Sequence, residues 1–172
     1  MFRVGQVGQD RGFTLIELIV VVSLISIMLF LYIPKFQEAV VFDNTKKVSR
    51  WIIGKVKALK ESSVSNQRLY VFHIDLDNNR MWVTDELMLE EEMQNAESQG
   101  FELPDDINLV DVEYPGKDKI LFGHADIYFY KKGYSDKALI HIEDSNNKQL
   151  SFLIEPFLSK VRLYEEYVEF EN

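Results

Sequence analysis

The stretch from Phe13 to Ile33 constrains this chain more than any other. It carries one charged residue, Glu17. About 21 residues of this kind form a helix of roughly 31 Å at ~1.5 Å per residue. That matches the ~30 Å hydrocarbon core of a bilayer. A cleaved secretory signal has a shorter apolar region, ~7–15 residues, and a small-x-small cleavage site. Here Ile33-Pro34-Lys35 follows instead. The segment is therefore expected to remain on the mature protein as a membrane span. Arg3 and Arg11 precede it against Asp10, and the remainder is acidic. The positive-inside bias then places the first residues in the cytoplasm and the rest outside.

Glu17 has to be explained in such a setting. A lone carboxylate at the centre of a spanning helix costs roughly 2.5–3.5 kcal/mol, and less near its end. Two readings follow. Headgroups solvate the side chain at the interface, or a fixed positive charge meets it. A cut between Gly12 and Phe13 would set a new α-amino group four residues from Glu17. An adjacent subunit could offer that amine to Glu17, neutralising both where the dielectric is low.

Gly12-Phe13-Thr14-Leu15-Ile16-Glu17-Leu18 resembles the processing motif of type IV prepilins and type II secretion pseudopilins. The resemblance implies a membrane prepilin peptidase that cuts after Gly12 and methylates Phe13. It implies that Glu17 is the assembly residue and that Pro34 kinks the helix. It further implies single-pass insertion in a bacterial inner membrane, with the C-terminal domain in the periplasm. The partners implied are other minor and major pseudopilins and an inner-membrane assembly platform, with no cofactor.

The organisation expected is a leader over 1–12, a transmembrane helix over 13–34, an amphipathic helix over 35–66 and a β-rich domain over 67–172. Val48, Ile52, Val56, Leu59 and Ser63 recur every three or four residues, with Lys46, Lys47, Arg50, Lys57 and Lys60 elsewhere on the wheel. That pattern predicts a helix laying one stripe on a core. Asp43-Asn44-Thr45 is expected to cap a second helical segment and mark a bend, and 62–66 to end it.

From residue 68 the pattern turns to strands. Segment 68–75 reads as a central strand and 80–84 as its return after the turn Asp77-Asn78-Asn79. The acidic segment 85–99 reads as a short exposed helix or insertion. Strands are expected near 107–113, 127–130, 138–142 and 150–154, with Ser145-Asn146-Asn147 as a hairpin turn. Val161 and Leu163, then Val168 and Phe170, complete the set. The fold class expected is α+β: a long N-terminal helix, transmembrane then amphipathic, packed on an antiparallel β-sandwich-like domain.

The block 127–142 with 150–161 resembles the H-type minor pseudopilins and the FimT-like minor pilins. The Phe129-x-x-x-Gly133 turn, Trp82 and Leu103-Pro104 carry that likeness. Leu158-Ser159 departs from it, where the group has Thr-Gly. The resemblance implies a structural subunit of a secretion pseudopilus. The alternative is a minor type IV pilin acting in assembly, adhesion or DNA uptake.

Formal net charge is −9 and pI about 4.9. This argues against a nucleic-acid surface, apart from local pairs such as Lys131-Lys132 and Lys160-Arg162. There is no cysteine, which excludes thiol nucleophiles and thiolate metal sites. His73, His124 and His141 are scattered and read as core or surface residues. Asp75-x-Asp77-x-Asn79 opens like a calcium loop but has Arg80 and Glu86 where glycine and glutamate belong, so a hairpin turn is expected. Glu90-Glu91-Glu92 reads as a solvated face. No nucleophile elbow or phosphate-cradling glycine loop is present, so no enzyme is expected.

Overall fold

The structure, a computed structural model, describes residues 14–171, with side chains left aside over 31–42. One helix, α1, spans Leu15–Ser65. The chain divides into two compact units, Met1–Val40 and Val41–Asn172.

In the first unit the described side chains from Leu15 to Phe30 are all exposed. A helix apolar on every side has no core-facing stripe of its own. Ser23 Oγ donates to Ile19 O and Ser26 Oγ to Val22 O, each at 2.8 Å. Both hydroxyls are satisfied within the helix by carbonyls four residues earlier. Pro34 and its expected kink fall among residues 31–42, outside the described side chains.

In the second unit α1 is amphipathic. Val48, Ile52, Val56 and Leu59 are buried at 0–4% exposure. The expected cap at Asp43–Thr45 is not formed, because the helix runs through these residues. Asn44 Nδ2 instead donates to Asp106 Oδ1 at 2.9 Å. A tertiary partner replaces the local backbone partner that the cap signal implied.

Eight strands follow: β1 Tyr70–Asp75, β2 Arg80–Asp85, β3 Phe101–Glu102, β4 Ile107–Glu113, β5 His124–Phe129, β6 Ala138–Asp144, β7 Gln149–Ile154 and β8 Arg162–Tyr164. A second helix, α2, spans Glu90–Ser98. The strands form two antiparallel four-stranded sheets, ordered β3-β2-β1-β5 and β4-β6-β7-β8. Alternation sets the faces: Phe72, Ile74, Met81 and Ile127 from the first sheet join Ile107, Ile140, Ile142 and Phe152 from the second in one core with the α1 stripe. Trp51 of α1 stacks on Phe101, with ring centroids 4.2 Å apart. The architecture is α+β, as expected.

Two turns share one device. Asp75 Oδ1 accepts from the backbone N–H groups of Asp77 and Asn78. Asp144 Oδ1 accepts from those of Asn146 and Lys148. Each turn contains an asparagine in the left-handed region, Asn79 at φ 48° and Asn147 at φ 59°, which asparagine tolerates best among non-glycine residues. Asn79 also ties the sheets together. Its Nδ2 donates to Asn108 Oδ1, and its Oδ1 accepts from Leu109 N.

Val168 and Phe170, expected in a strand, lie outside one. The chain after β8 crosses the outer face of the second sheet as a strap. Val168 N donates to Ser151 Oγ and Phe170 N to Glu113 Oε1. Its hydrogen bonds go to side chains of β7, β6 and β4 and not to a backbone ladder, so the alternating residues did not signal a strand.

Candidate assembly site

Thr14 caps α1. Its Oγ1 accepts from Glu17 N at 3.2 Å, and its carbonyl from Leu18 N at 3.1 Å. Thr-x-x-Glu is the spacing of a capping box, and the threonine half is formed. Glu17 thus stands in the first turn, where the positive end of the helix dipole favours a carboxylate. Its side chain is exposed. Gly12 and Phe13 lie outside the described residues. Among the described residues, no helix is long and apolar enough to cross a membrane.

The strap covers a buried polar network that sequence reasoning missed. His141 and Ser151 are fully buried, and Asp111 is 1% exposed. His141 Nδ1 lies 2.7 Å from Asp111 Oδ1, and Nε2 lies 2.8 Å from Val168 O. Tyr167 donates to Asp111 Oδ2 at 2.7 Å, and Lys119 donates to Tyr167 and Glu169. Burial pushes the Asp111 carboxyl up, but the bonds from His141 and Tyr167 outweigh it and hold the group below its ordinary range. Burial and the bond to Asp111 raise the Tyr167 hydroxyl. The available signal was His141 between Ile140 and Ile142, a histidine on the opposite face from the apolar pair.

His73 has the geometry of a charge-relay row. Its Nδ1 lies 2.6 Å from Asp126 Oδ1, and its Nε2 lies 2.8 Å from Thr84 Oγ1. The order Asp-His-hydroxyl invites a nucleophile reading, which fails on two counts. Thr84 is only 6% exposed. The row also lies flat across the β2-β1-β5 ladders, with Val71 opposite Thr84 and His73 opposite Asp126, where strand backbone is committed to pairing rather than arranged as an oxyanion hole. Trp82 stacks on His73 at 5.1 Å and meets His124 edge-on at 5.9 Å.

Asp75 is 4% exposed. Burial raises its pKa, but hydrogen bonds from Asn78 and the backbone overcome this and lower it. Its oxygens are spent on the turn, and Asp77 Oδ1 accepts from Gly123 N. The segment is therefore a braced hairpin. Lys60, expected on the polar side of α1, is buried at 6% exposure. Its ammonium donates to the carbonyls of Glu155, Pro156 and Leu158, a fit for its three donors. Desolvation lowers its pKa.

Residues 8–32 match the prokaryotic N-terminal methylation motif. Two solved structures share the architecture just described. The minor pseudopilin EpsH from the type 2 secretion system of Vibrio cholerae aligns over 74% of this chain and 99% of its own, with a TM-score of 0.57 and 15% identity. A crystal structure of the same minor pseudopilin aligns over 74% and 98%, with a TM-score of 0.54 and 17% identity. The chain thus joins a prokaryotic N-terminal methylation motif to the fold of a minor pseudopilin. No curated protein sequence matches it. At 15–17% identity the likeness is one of fold.

Proposed function

We propose that this chain is a minor pseudopilin, a non-catalytic subunit of the pseudopilus of a type II protein secretion system. It enters the inner membrane through residues 13–34, and a prepilin peptidase cuts after Gly12 and methylates Phe13. The amphipathic turns over 35–66 lead to the periplasmic β-rich domain over 67–172. Glu17 then meets the new N-terminus of an adjacent pseudopilin on the assembly platform. One observation carries this reading: a methylation motif over 8–32 stands in the same chain as a minor-pseudopilin fold. Dipole stabilisation in a first turn is worth ~0.3–1 kcal/mol, which offsets part of the cost of a carboxylate near the end of a span; a neighbour's amine would supply the rest.

Intact-mass measurement on the chain from cells with and without the prepilin peptidase tests the reading. The expected result is loss of residues 1–12 plus one methyl group only when the peptidase is present. An unchanged mass with the peptidase present overturns it.

A further inference from the structure

Three tyrosines meet at an open cleft of about 640 Å³ beside β5, within the ~300–1,000 Å³ of small-ligand sites. Tyr114 and Lys117 come from the β4–β5 connection, Asp126 and Tyr128 from β5, and Tyr130 and Lys137 from the segment after it. Alternation explains the sharing. Asp126, Tyr128 and Tyr130 stand at every second residue, while Ala125, Ile127 and Phe129 turn into the core. The Tyr128 and Tyr130 rings lie 6.4 Å apart at 27°. Tyr134 backs Tyr130 at 4.6 Å. The hydroxyls of Tyr114 and Tyr130 donate to Asp126 O and Asp136 Oδ1. The Tyr128 hydroxyl has no hydrogen-bond partner among the described residues.

β5 is the outer strand of its sheet. Tyr128 N–H donates to Asp136 Oδ2 at 3.1 Å, and its carbonyl accepts from Asp136 N at 2.9 Å, so this backbone points away from β1. Asp126, two residues earlier, points the same way. Its carbonyl takes the Tyr114 hydroxyl, and its N–H donates to no described residue. Asp126 Oδ1 is held by His73 at 2.6 Å, which leaves Oδ2 to accept. One lining residue thus offers a donor and an acceptor, the complement of a secondary amide. Charge is balanced at the cleft: Asp126 and Asp136 stand against Lys117 and Lys137, in a chain of net charge −9. Burial first, and then the nearby carboxylates, raise Tyr114 and Tyr130, so their hydroxyls stay neutral. A locally neutral cleft selects no cation, and no polyanion, which needs clustered positive charge.

We propose that this tyrosine cleft binds an N-acetylated hexosamine glycan of the cell-wall type. A pyranose has an edge of hydroxyls and a slightly positive C–H face, and such a face packs on the negative face of an aromatic ring. Tyr128 is the platform, and Tyr130, backed by Tyr134, extends it. The acetamido carbonyl accepts from Asp126 N–H, and the acetamido N–H donates to Asp126 Oδ2. Ring hydroxyls accept from Lys117 and Lys137. Lys117 already lies over the Tyr114 ring at 5.5 Å and Lys137 over Phe170 at 4.8 Å, so both ammonium groups are held at the rim. An extended peptide also carries secondary amides, but it lacks the broad C–H face that tyrosines gathered at one cleft suit best. The location rests on the pseudopilin reading, which sets this domain in the periplasm beside that polymer.

The full-length chain, purified in a detergent without a sugar headgroup, is titrated with the β-1,4-linked N-acetylglucosamine tetramer and read by saturation-transfer NMR. The expected Kd is about 1 mM or tighter. The β-1,4-linked glucose tetramer lacks the acetamido groups and should bind about tenfold more weakly, as the loss of two hydrogen bonds requires. Tyr128→Ala should weaken binding by about tenfold or more, and Tyr128→Phe, which keeps the ring, by less than about threefold. Phe157→Ala removes a ring that is 83% exposed but outside the cleft, and should leave binding unchanged. No saturation transfer at about 10 mM tetramer, equal binding of the two tetramers, tighter binding of tetra-alanine than of the glycan, or equal losses in Tyr128→Ala and Phe157→Ala each overturns the proposal. Far-ultraviolet circular dichroism of every variant shows that the substitutions leave the fold intact. N-terminal mass is read on the same samples, so failure of processing and failure of glycan binding are seen separately.

Discussion

His141 Nδ1 and Asp111 Oδ1 lie 2.7 Å apart with both side chains buried, and the C-terminal strap closes over them. Replacing one member of such a pair leaves the other's buried polar atoms without a hydrogen-bond partner, at a cost of about 1–3 kcal/mol. Asp111→Ala is therefore expected to destabilise the chain by about 1–3 kcal/mol and to free residues 165–171. Urea unfolding with a hydrogen-exchange comparison checks this. Loss of protection should be largest at Val168 and Phe170, whose N–H groups bond to Ser151 and Glu113.

The same carboxyl gives a pH dependence with a definite sign. Asp111 and Asp75 both titrate below their ordinary value in the folded chain. Each adds stability that is fully present above the unfolded carboxylate pKa of ~3.9. That stability is lost as pH falls through the folded value. Unfolding free energy should be flat with respect to these groups near neutrality and fall steeply below about pH 4. In Asp111→Asn the acid limb should be shallower. An unchanged limb would mean that the carboxylate contributes no linked proton.

Gly133 sits at φ +85°, and a Cβ there would lie 2.9 Å from Val64 Cγ2. Gly133→Ala meets two separate costs: a left-handed backbone of about 1–2 kcal/mol and a clash with the end of α1. Val64→Ala removes the clash and leaves the backbone cost. Val64 is 46% exposed, so alone it should cost within about 0.5 kcal/mol. Thermal unfolding of the four-member cycle should show the double variant partly recovered relative to Gly133→Ala.

Much of this architecture was legible in the residues. The Val48–Ile52–Val56–Leu59 stripe appears as the buried face of α1, and the asparagine turns at 77–79 and 145–147 join β1 to β2 and β6 to β7. Three features were not legible, for related reasons. Asp43-Asn44-Thr45 carries a capping signature, but Asn44 is taken by Asp106, far along the chain. Val168 and Phe170 alternate like a strand, yet their partners are side chains on other strands. Lys60 has the polarity of a surface residue, but the carbonyls that accept its ammonium belong to 155–158. In each case a long-range partner overrode a local preference. The N-terminal site was legible only as a motif, because its meaning depends on a second subunit.

Lys60 can be tested on that basis. Lys60→Met keeps the buried stem and removes the donors to three carbonyls. Their partial return to water limits the loss to about 1–3 kcal/mol. Limited proteolysis should show new cleavage near Phe157, which is 83% exposed already. Lys60→Arg should recover part of the stability, since a guanidinium also donates to several acceptors.

The final prediction concerns Glu17. Its position in the first turn, after the Thr14 cap, is compatible with a local role in starting α1 and with a role between subunits. Glu17→Gln separates the two. The amide keeps size and hydrogen-bonding capacity at N3 of the helix, so helix initiation should change by no more than about 1 kcal/mol, the worth of the lost charge at the helix dipole. It cannot carry the charge that a neighbour's α-amino group would seek. Cleavage after Gly12 should continue in Glu17→Gln, read by intact mass, while incorporation into filaments falls at least tenfold, equivalent to about 1.4 kcal/mol. A peptidase-deficient strain leaves the amine unmade and should give the same assembly loss. Combining it with Glu17→Gln should then add nothing, because both changes remove one charge pair. Two independent losses that multiply would show that the carboxylate acts on something other than that amine.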